Sequence, residues 1–76
     1  MRHTVELLMK NKTTALSRVL GLYTRRGLEI DQLTFNEMEN PELSHMSITM
    51  KCDPSVLDQM VKLLDKQIDV LQVQKV

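Results

Sequence analysis

The amino-acid sequence predicts an α+β fold of the ferredoxin-like kind: a four-stranded antiparallel sheet with two helices on one face, in the order β-α-β-β-α-β. Three observations carry this. Two segments, His3–Met9 and Met46–Cys52, alternate with the period of two that a half-buried strand requires. Two others, Ala15–Tyr23 and Val56–Leu64, place apolar residues at the three- and four-residue spacings of a helix, and each lies between strand-like runs. A length of 76 residues fits one domain, residues 1–76.

The first strand is expected over residues 2–9, with His3, Val5, Leu7 and Met9 on one face and Thr4, Glu6 and Leu8 on the other. Lys10-Asn11-Lys12-Thr13-Thr14 follows, where Thr13 or Thr14 offers a side-chain oxygen to the free N–H groups of a helix start. Ala15, Leu16, Val19, Leu20, Leu22 and Tyr23 form that helix's apolar face. Arg25 and Arg26 suit the negative end of its dipole, and Gly27 ends it. Leu28, Ile30, Leu33 and Phe35 read as a second strand whose change of phase near Asp31-Gln32 predicts a bulge.

Glu39-Asn40-Pro41-Glu42 is turn chemistry, and Met46, Ile48, Met50 and Cys52 mark a third strand. Asp53-Pro54-Ser55 sets a capping residue before a proline at the first helical position, and Val56, Leu57, Met60, Val61, Leu63 and Leu64 carry the second helix to about Lys66. Ile68, Val70, Leu71, Val73 and Val76 supply a last strand of β-branched character. In this topology the second and fourth strands are edges. An unpaired edge carrying Leu33 and Phe35 invites a second copy, so a symmetric homodimer is expected. Cys52 is the sole cysteine, and a domain this small without disulfide or metal rarely draws more than ~3–5 kcal/mol from its core, which also favours assembly.

Composition excludes several functions. Apolar residues make up 42% and charged residues 26%, the balance of a globular domain rather than a disordered tail. Ten Lys and Arg against ten Asp and Glu leave no general pull toward nucleic acid or anionic lipid. Apolar runs stop at threes such as Leu7-Leu8-Met9, where a membrane helix needs about 20 residues. The opening residues lack a secretory pattern, so the cytoplasm is the expected compartment.

An RNA platform needs aromatic rings on the central strands, and Tyr23 and Phe35 lie on neither. A soft-metal carrier needs a cysteine pair in the first strand–helix loop, which has none. His3 and His45, read as neighbours on adjacent strands, lack further ligands, so no metal is assigned. Cys52 has no local base, and no acid, base and nucleophile converge, so no catalytic residue is assigned and the chain is read as non-enzymatic. Met46, Met50 and Met60 fall in phase with the core as filler. Arg18, Arg25 and Arg26 on the first helix form a solvated face that suits an acidic partner.

The informative place is the first strand–helix loop, where Asn11, Thr13 and Thr14 sit beside helix N–H groups able to receive a carboxylate. A dimer joined through second-strand edges brings Glu29 and Ile30 of the other copy toward it, an interfacial pocket for a small amino acid. The expected effector-binding set is Asn11, Thr13, Thr14, Ala15, Leu16, Glu29 and Ile30.

Four stretches carry a resemblance: Asn11 with Ala15-Leu16-Ser17-Arg18-Val19-Leu20-Gly21-Leu22-Tyr23; Arg26-Gly27-Leu28-Glu29-Ile30-Asp31-Gln32-Leu33; Pro41-Glu42-Leu43-Ser44-His45-Met46-Ser47-Ile48; and Leu64-Asp65-Lys66-Gln67-Ile68-Asp69-Val70-Leu71-Gln72-Val73. Together, over nearly all of the chain, they resemble the ACT domain of the acetolactate (acetohydroxyacid) synthase small subunit. The resemblance implies a non-catalytic regulatory subunit of branched-chain amino acid biosynthesis that binds and activates the catalytic large subunit and, in many members, carries valine feedback. Thiamine diphosphate, magnesium and FAD would belong to that partner, with no cofactor in this chain.

Two departures fall on the family's effector site. Thr14 stands where the family has Gly before Ala-Leu-Ser-Arg, and its side chain takes up space where ligand approaches backbone. Leu28-Glu29 replaces the family's aromatic-Asn, and a carboxylate there repels that of an amino acid while it can attract the ammonium group. With a chain that stops at Val76, these resemble the short, valine-insensitive members and imply weak or absent valine feedback. The alternative is a free-standing ACT-type amino-acid sensor that regulates another protein.

Overall fold

In the computed structural model, which describes residues 1–76, the chain runs β1 (Arg2–Lys10), α1 (Thr13–Arg25), β2 (Ile30–Glu37), β3 (Leu43–Lys51), α2 (Pro54–Asp65) and β4 (Val70–Lys75). The strands form one antiparallel sheet in the order β2-β3-β1-β4, so β2 and β4 are its edges, as expected. The centre is the long pairing of β1 with β3, unbroken from Arg2↔Lys51 to Lys10↔Leu43. Strand alternation sends Val5, Leu7 and Met9 of β1 and Met46, Ile48 and Met50 of β3 to the same face. Both helices lie on that face, α1 burying Ala15, Val19 and Tyr23 and α2 burying Leu57, Met60 and Leu64. The three methionines read as filler are all fully buried.

The other face carries no helix and is largely polar, with Leu8 its apolar exception on β1. The hydroxyls of Thr4 and Thr49 hydrogen-bond at 2.9 Å across the central pair, and His45 Nε2 stands 3.6 Å from Glu6 Oε2. His3 pairs with Met50 on the helix side, whereas His45 pairs with Leu8 near the other end. The two histidines therefore sit on opposite faces, which corrects the expectation that they are neighbours.

Local departures have physical causes. Neither Thr13 nor Thr14 caps α1: Lys12 occupies the cap position, its carbonyl accepting from Ala15 N–H at 3.1 Å and Leu16 N–H at 3.2 Å, with no side-chain cap bond. Thr13 is the first helical residue. Leu28 is not yet strand. It is spent on ending α1, its N–H donating to Tyr23 O at 3.0 Å while Gly27 N–H donates to Thr24 O at 3.1 Å, with Gly27 at φ 66°. That pair of bonds is a Schellman ending, which needs a glycine in the left-handed region. β2 thus begins at Ile30, and the predicted bulge appears as a register shift between Ile30 and Gln32.

β3 starts earlier than the alternation suggested, at Leu43, because Ser44 occupies an inward, buried position. Asp53 holds the cap position of α2 without a side-chain bond, its carbonyl accepting from Val56 and Leu57. β4 begins at Val70, not Ile68, which is 81% exposed. Leu8 pairs with Gln72 and Met9 with Val70, so Leu71 bulges out of the ladder and is exposed.

Candidate functional site

At the end of the sheet where β1 gives way to α1, a cleft of about 490 Å³ opens between the β1–α1 loop and the β2–β3 loop, walled by Lys10, Asn11, Lys12, Pro41, Glu42, Leu43 and Leu71. Asn11 organises it. Its backbone N–H donates to Glu42 O at 2.8 Å, its Nδ2 donates to Pro41 O at 3.0 Å, and its Oδ1 accepts from Ser44 Oγ at 2.6 Å. The loop it grips is self-shaped: Asn40 Oδ1 accepts from Glu42 N–H at 3.0 Å and Asn40 O from Leu43 N–H at 3.0 Å. Asn11 is therefore first of all a fastener between two loops, a role that sequence reasoning missed. The signal for it was Ser44, the one polar residue on the inward phase of β3 and so in need of a partner.

Thr13 and Thr14 are exposed beside this cleft, Ala15 turns into the core and Leu16 packs half-buried against it. Because no side chain caps α1 and its first turn holds no acidic residue, the N–H groups of Thr13 and Thr14 are free to meet an anion, those of Ala15 and Leu16 being engaged by Lys12 O. Glu29 and Ile30 are elsewhere within one chain. Ile30 pairs with Met50, which pairs with His3, whereas Asn11 follows the Lys10↔Leu43 pair. The two halves of the expected set are thus separated by most of the length of β1, roughly 25 Å at ~3.4 Å per residue.

Leu33 and Phe35 on edge strand β2 pack their side chains, half-buried, against the core. Their contribution to the open edge is the backbone. Met38 N–H donates to Leu43 O, and since antiparallel residues alternate in direction, the amides of Leu33, Phe35 and Glu37 point away from β3.

The arginines of α1 divide. Arg18 Nη1 donates to Asp69 Oδ2 at 2.9 Å, tying the helix to the turn before β4, where Asp69 is buried and its carbonyl also accepts from Lys10 N–H. Nothing in the sequence marked Asp69 for this. Arg25 and Arg26 stay exposed and unpaired at the far end of α1.

The remaining polar groups of the core offer no reactive constellation. Burial, then neighbouring Asp53, pushes the Cys52 thiol up, outweighing the opposing pull of the N-terminal ammonium. Burial also raises Tyr23 far above the ordinary phenol range, with Cys52 adding to it, and the hydroxyl has no hydrogen-bond partner. His3 Nε2 is likewise buried and unpartnered. No group of three or more His, Cys, Asp or Glu side chains is placed to hold a metal ion, and no helix is long and apolar enough to cross a membrane.

The strand order and the two helices on a single face make this a ferredoxin-like α+β domain, the arrangement that ACT domains share. Residues 5–72 match the family described as the AHAS small subunit-like ACT domain. The probable acetolactate synthase small subunit of Archaeoglobus fulgidus is 40% identical over 76 residues, covering 100% of this chain and 48% of its own. The acetolactate synthase isozyme 3 small subunit of Escherichia coli K12 is 44% identical over 73 residues, covering 96% of this chain and 45% of its own. The crystal structure of the acetolactate synthase small subunit from Thermotoga maritima superimposes with a TM-score of 0.88 at 33% identity, over 99% of this chain and 47% of that one. The chain belongs to the AHAS (acetohydroxyacid synthase) small subunit-like ACT domain family, and it spans about half the length of these relatives.

Proposed function

We propose that this chain is a regulatory small-subunit module of acetolactate synthase, which binds the catalytic large subunit, raises its activity and performs no chemistry itself. The observation that carries this reading is the family match over residues 5–72, joined to about 40% identity along the whole chain with small subunits from a bacterium and an archaeon. Thiamine diphosphate, magnesium and FAD belong in this reading to the large subunit.

The effector site is proposed to form only between two copies. If β2 pairs antiparallel with β2 of a second copy, the start of one strand, Glu29-Ile30, lies beside the end of the other, which leads into the Pro41-Glu42 loop held by Asn11. That arrangement assembles Asn11, Thr13, Thr14, Ala15 and Leu16 of one copy with Glu29 and Ile30 of the other. The Glu29 carboxylate and the Thr14 side chain then disfavour an amino-acid carboxylate, so valine feedback is weak or absent.

Titration of the chain into its cognate large subunit tests the reading. Tighter assembly and faster acetolactate formation, with little change on adding valine, are the expected results. Unchanged turnover and assembly would sink the activator reading. Stoichiometric binding of an amino acid without any association with a thiamine-dependent enzyme would replace it with a free-standing sensor, and calorimetry showing tight valine binding would overturn the feedback assignment alone.

A further inference from the structure

Where α1 ends, the Gly27 turn folds Leu28 back toward the core and leaves a groove of about 570 Å³ between α1 and α2. It lies at the opposite end of α1 from the loop cleft. Leu22, Leu28, Val56 and Leu63 form its floor, each only partly buried although each touches the core. Arg25 and Arg26 stand on its rim and Gln59 closes it from α2. No acidic side chain lines it.

The charge on the rim is uncompensated. Arg18, on the same helix, is neutralised by Asp69 at 2.9 Å, and Arg2 and Lys75 have carboxylate partners at 3.3 and 2.8 Å. Arg25 and Arg26 have none. An aliphatic floor under two free guanidinium groups is complementary to a segment that offers an aliphatic side chain flanked by carboxylates, because each planar fork takes a carboxylate in two parallel hydrogen bonds.

A second copy of this chain does not fit. A two-fold contact would bring four arginines together with no acid in the groove to separate them. Two charges above a concave floor also fall short of the basic cluster that holds a protein on anionic lipid.

We propose that this groove docks an acidic, aliphatic-bearing segment of the catalytic large subunit, a proposal that rests on the small-subunit reading above. Charge steering by Arg25 and Arg26 would set the association rate and its salt dependence, and the apolar floor would set the lifetime. The arginines are exposed, so they can be reversed without touching the core.

The test uses the whole chain and its cognate large subunit. The double variant R25E/R26E should keep the wild-type circular dichroism and a cooperative melt, lowered by a few degrees because both reversals oppose the α1 dipole, yet bind about tenfold or more weakly at a temperature where both chains are folded, with a flatter dependence of association rate on salt. Independently, a photo-crosslinking benzoylphenylalanine in place of exposed Gln59 should capture a large-subunit peptide containing aspartate or glutamate beside leucine, isoleucine or valine. If the wild-type chain associates and activates while R25E/R26E has unchanged affinity, or if the crosslink joins two copies of this chain, the groove assignment falls and the small-subunit reading stands. If the wild-type chain does not associate with the large subunit, both fall.

Discussion

Single side chains in this molecule differ sharply in whether their polar atoms are satisfied, and that difference predicts their worth. Asn11 spends both amide atoms on Pro41 and Ser44, and Ser44 is fully buried. Asn11→Ala leaves the Ser44 hydroxyl without its acceptor and should cost about 1–3 kcal/mol in urea denaturation, whereas adding Ser44→Ala to it should recover part of the loss. Tyr23 is the reverse case, a fully buried hydroxyl with no partner. Tyr23→Phe should therefore cost nothing or add up to ~1 kcal/mol, instead of the loss seen when a hydrogen-bonded tyrosine is truncated. Tyr23 also gives a pH signature. The ordinary tyrosine value is 10.0, and burial chiefly, then Cys52, raises it in the folded chain. Above pH 10 the unfolded chain has given up that proton while the folded chain keeps it, so stability that is whole below pH 10 declines as pH rises toward the folded-state value. The Phe variant should flatten this alkaline decline in denaturation curves taken from pH 8 to 11.

At the level of elements, the two glycines of α1 and its ending make opposite predictions from the same substitution. Gly21 lies within the helix and a methyl added there meets nothing within 4 Å, so Gly21→Ala should stabilise by up to about 1 kcal/mol through helix propensity alone. Gly27 also has open space around it, but its φ of 66° is the left-handed position on which the Schellman ending depends. Gly27→Ala should destabilise by about 1–2 kcal/mol, the cost of a Cβ in that region. Thermal melts of the two variants should move in opposite directions. The Gly27 stop was legible in the sequence because Arg-Arg-Gly follows an apolar helical face. The bulge of β2 was legible as well, since Ile30 and Leu33 differ by an odd number of residues yet both face the helices, which only an extra residue allows. What was not legible was the entry to α1. Two threonines looked like caps, but the turn is held by a tertiary bond from Asn11 to a loop thirty residues away, and local capping chemistry lost to that contact.

For the molecule as a whole, the pattern of inward methionines and valines was enough to order six elements, because strand and helix periods are local properties of the chain. The candidate site was legible only in part for a complementary reason: its residues come from loops and strand ends whose meeting is set by register. Asn11 and Glu29 lie at opposite ends of the sheet, so no arrangement of one chain unites them. The open edge of β2 is the element that could. Its side chains at Leu33 and Phe35 are committed to the core, which leaves the outward amides of Leu33, Phe35 and Glu37 as the means of joining a second copy. This makes the proposed dimer testable without disturbing the fold. Glu37 is exposed at the end of β2, and the extended backbone of Asn36 before it already has the geometry a proline demands of its neighbour. Glu37→Pro removes one outward N–H and leaves the bonds toward β3 intact. Sedimentation should show the wild-type chain as a dimer and Glu37→Pro shifted toward monomer, with the circular dichroism of the folded chain retained. Side-chain substitution at exposed Thr34, whose amide faces β3, should leave the dimer in place. If Glu37→Pro and wild type sediment alike as dimers, the β2 edge is not the joint, and the two-copy effector site falls with it.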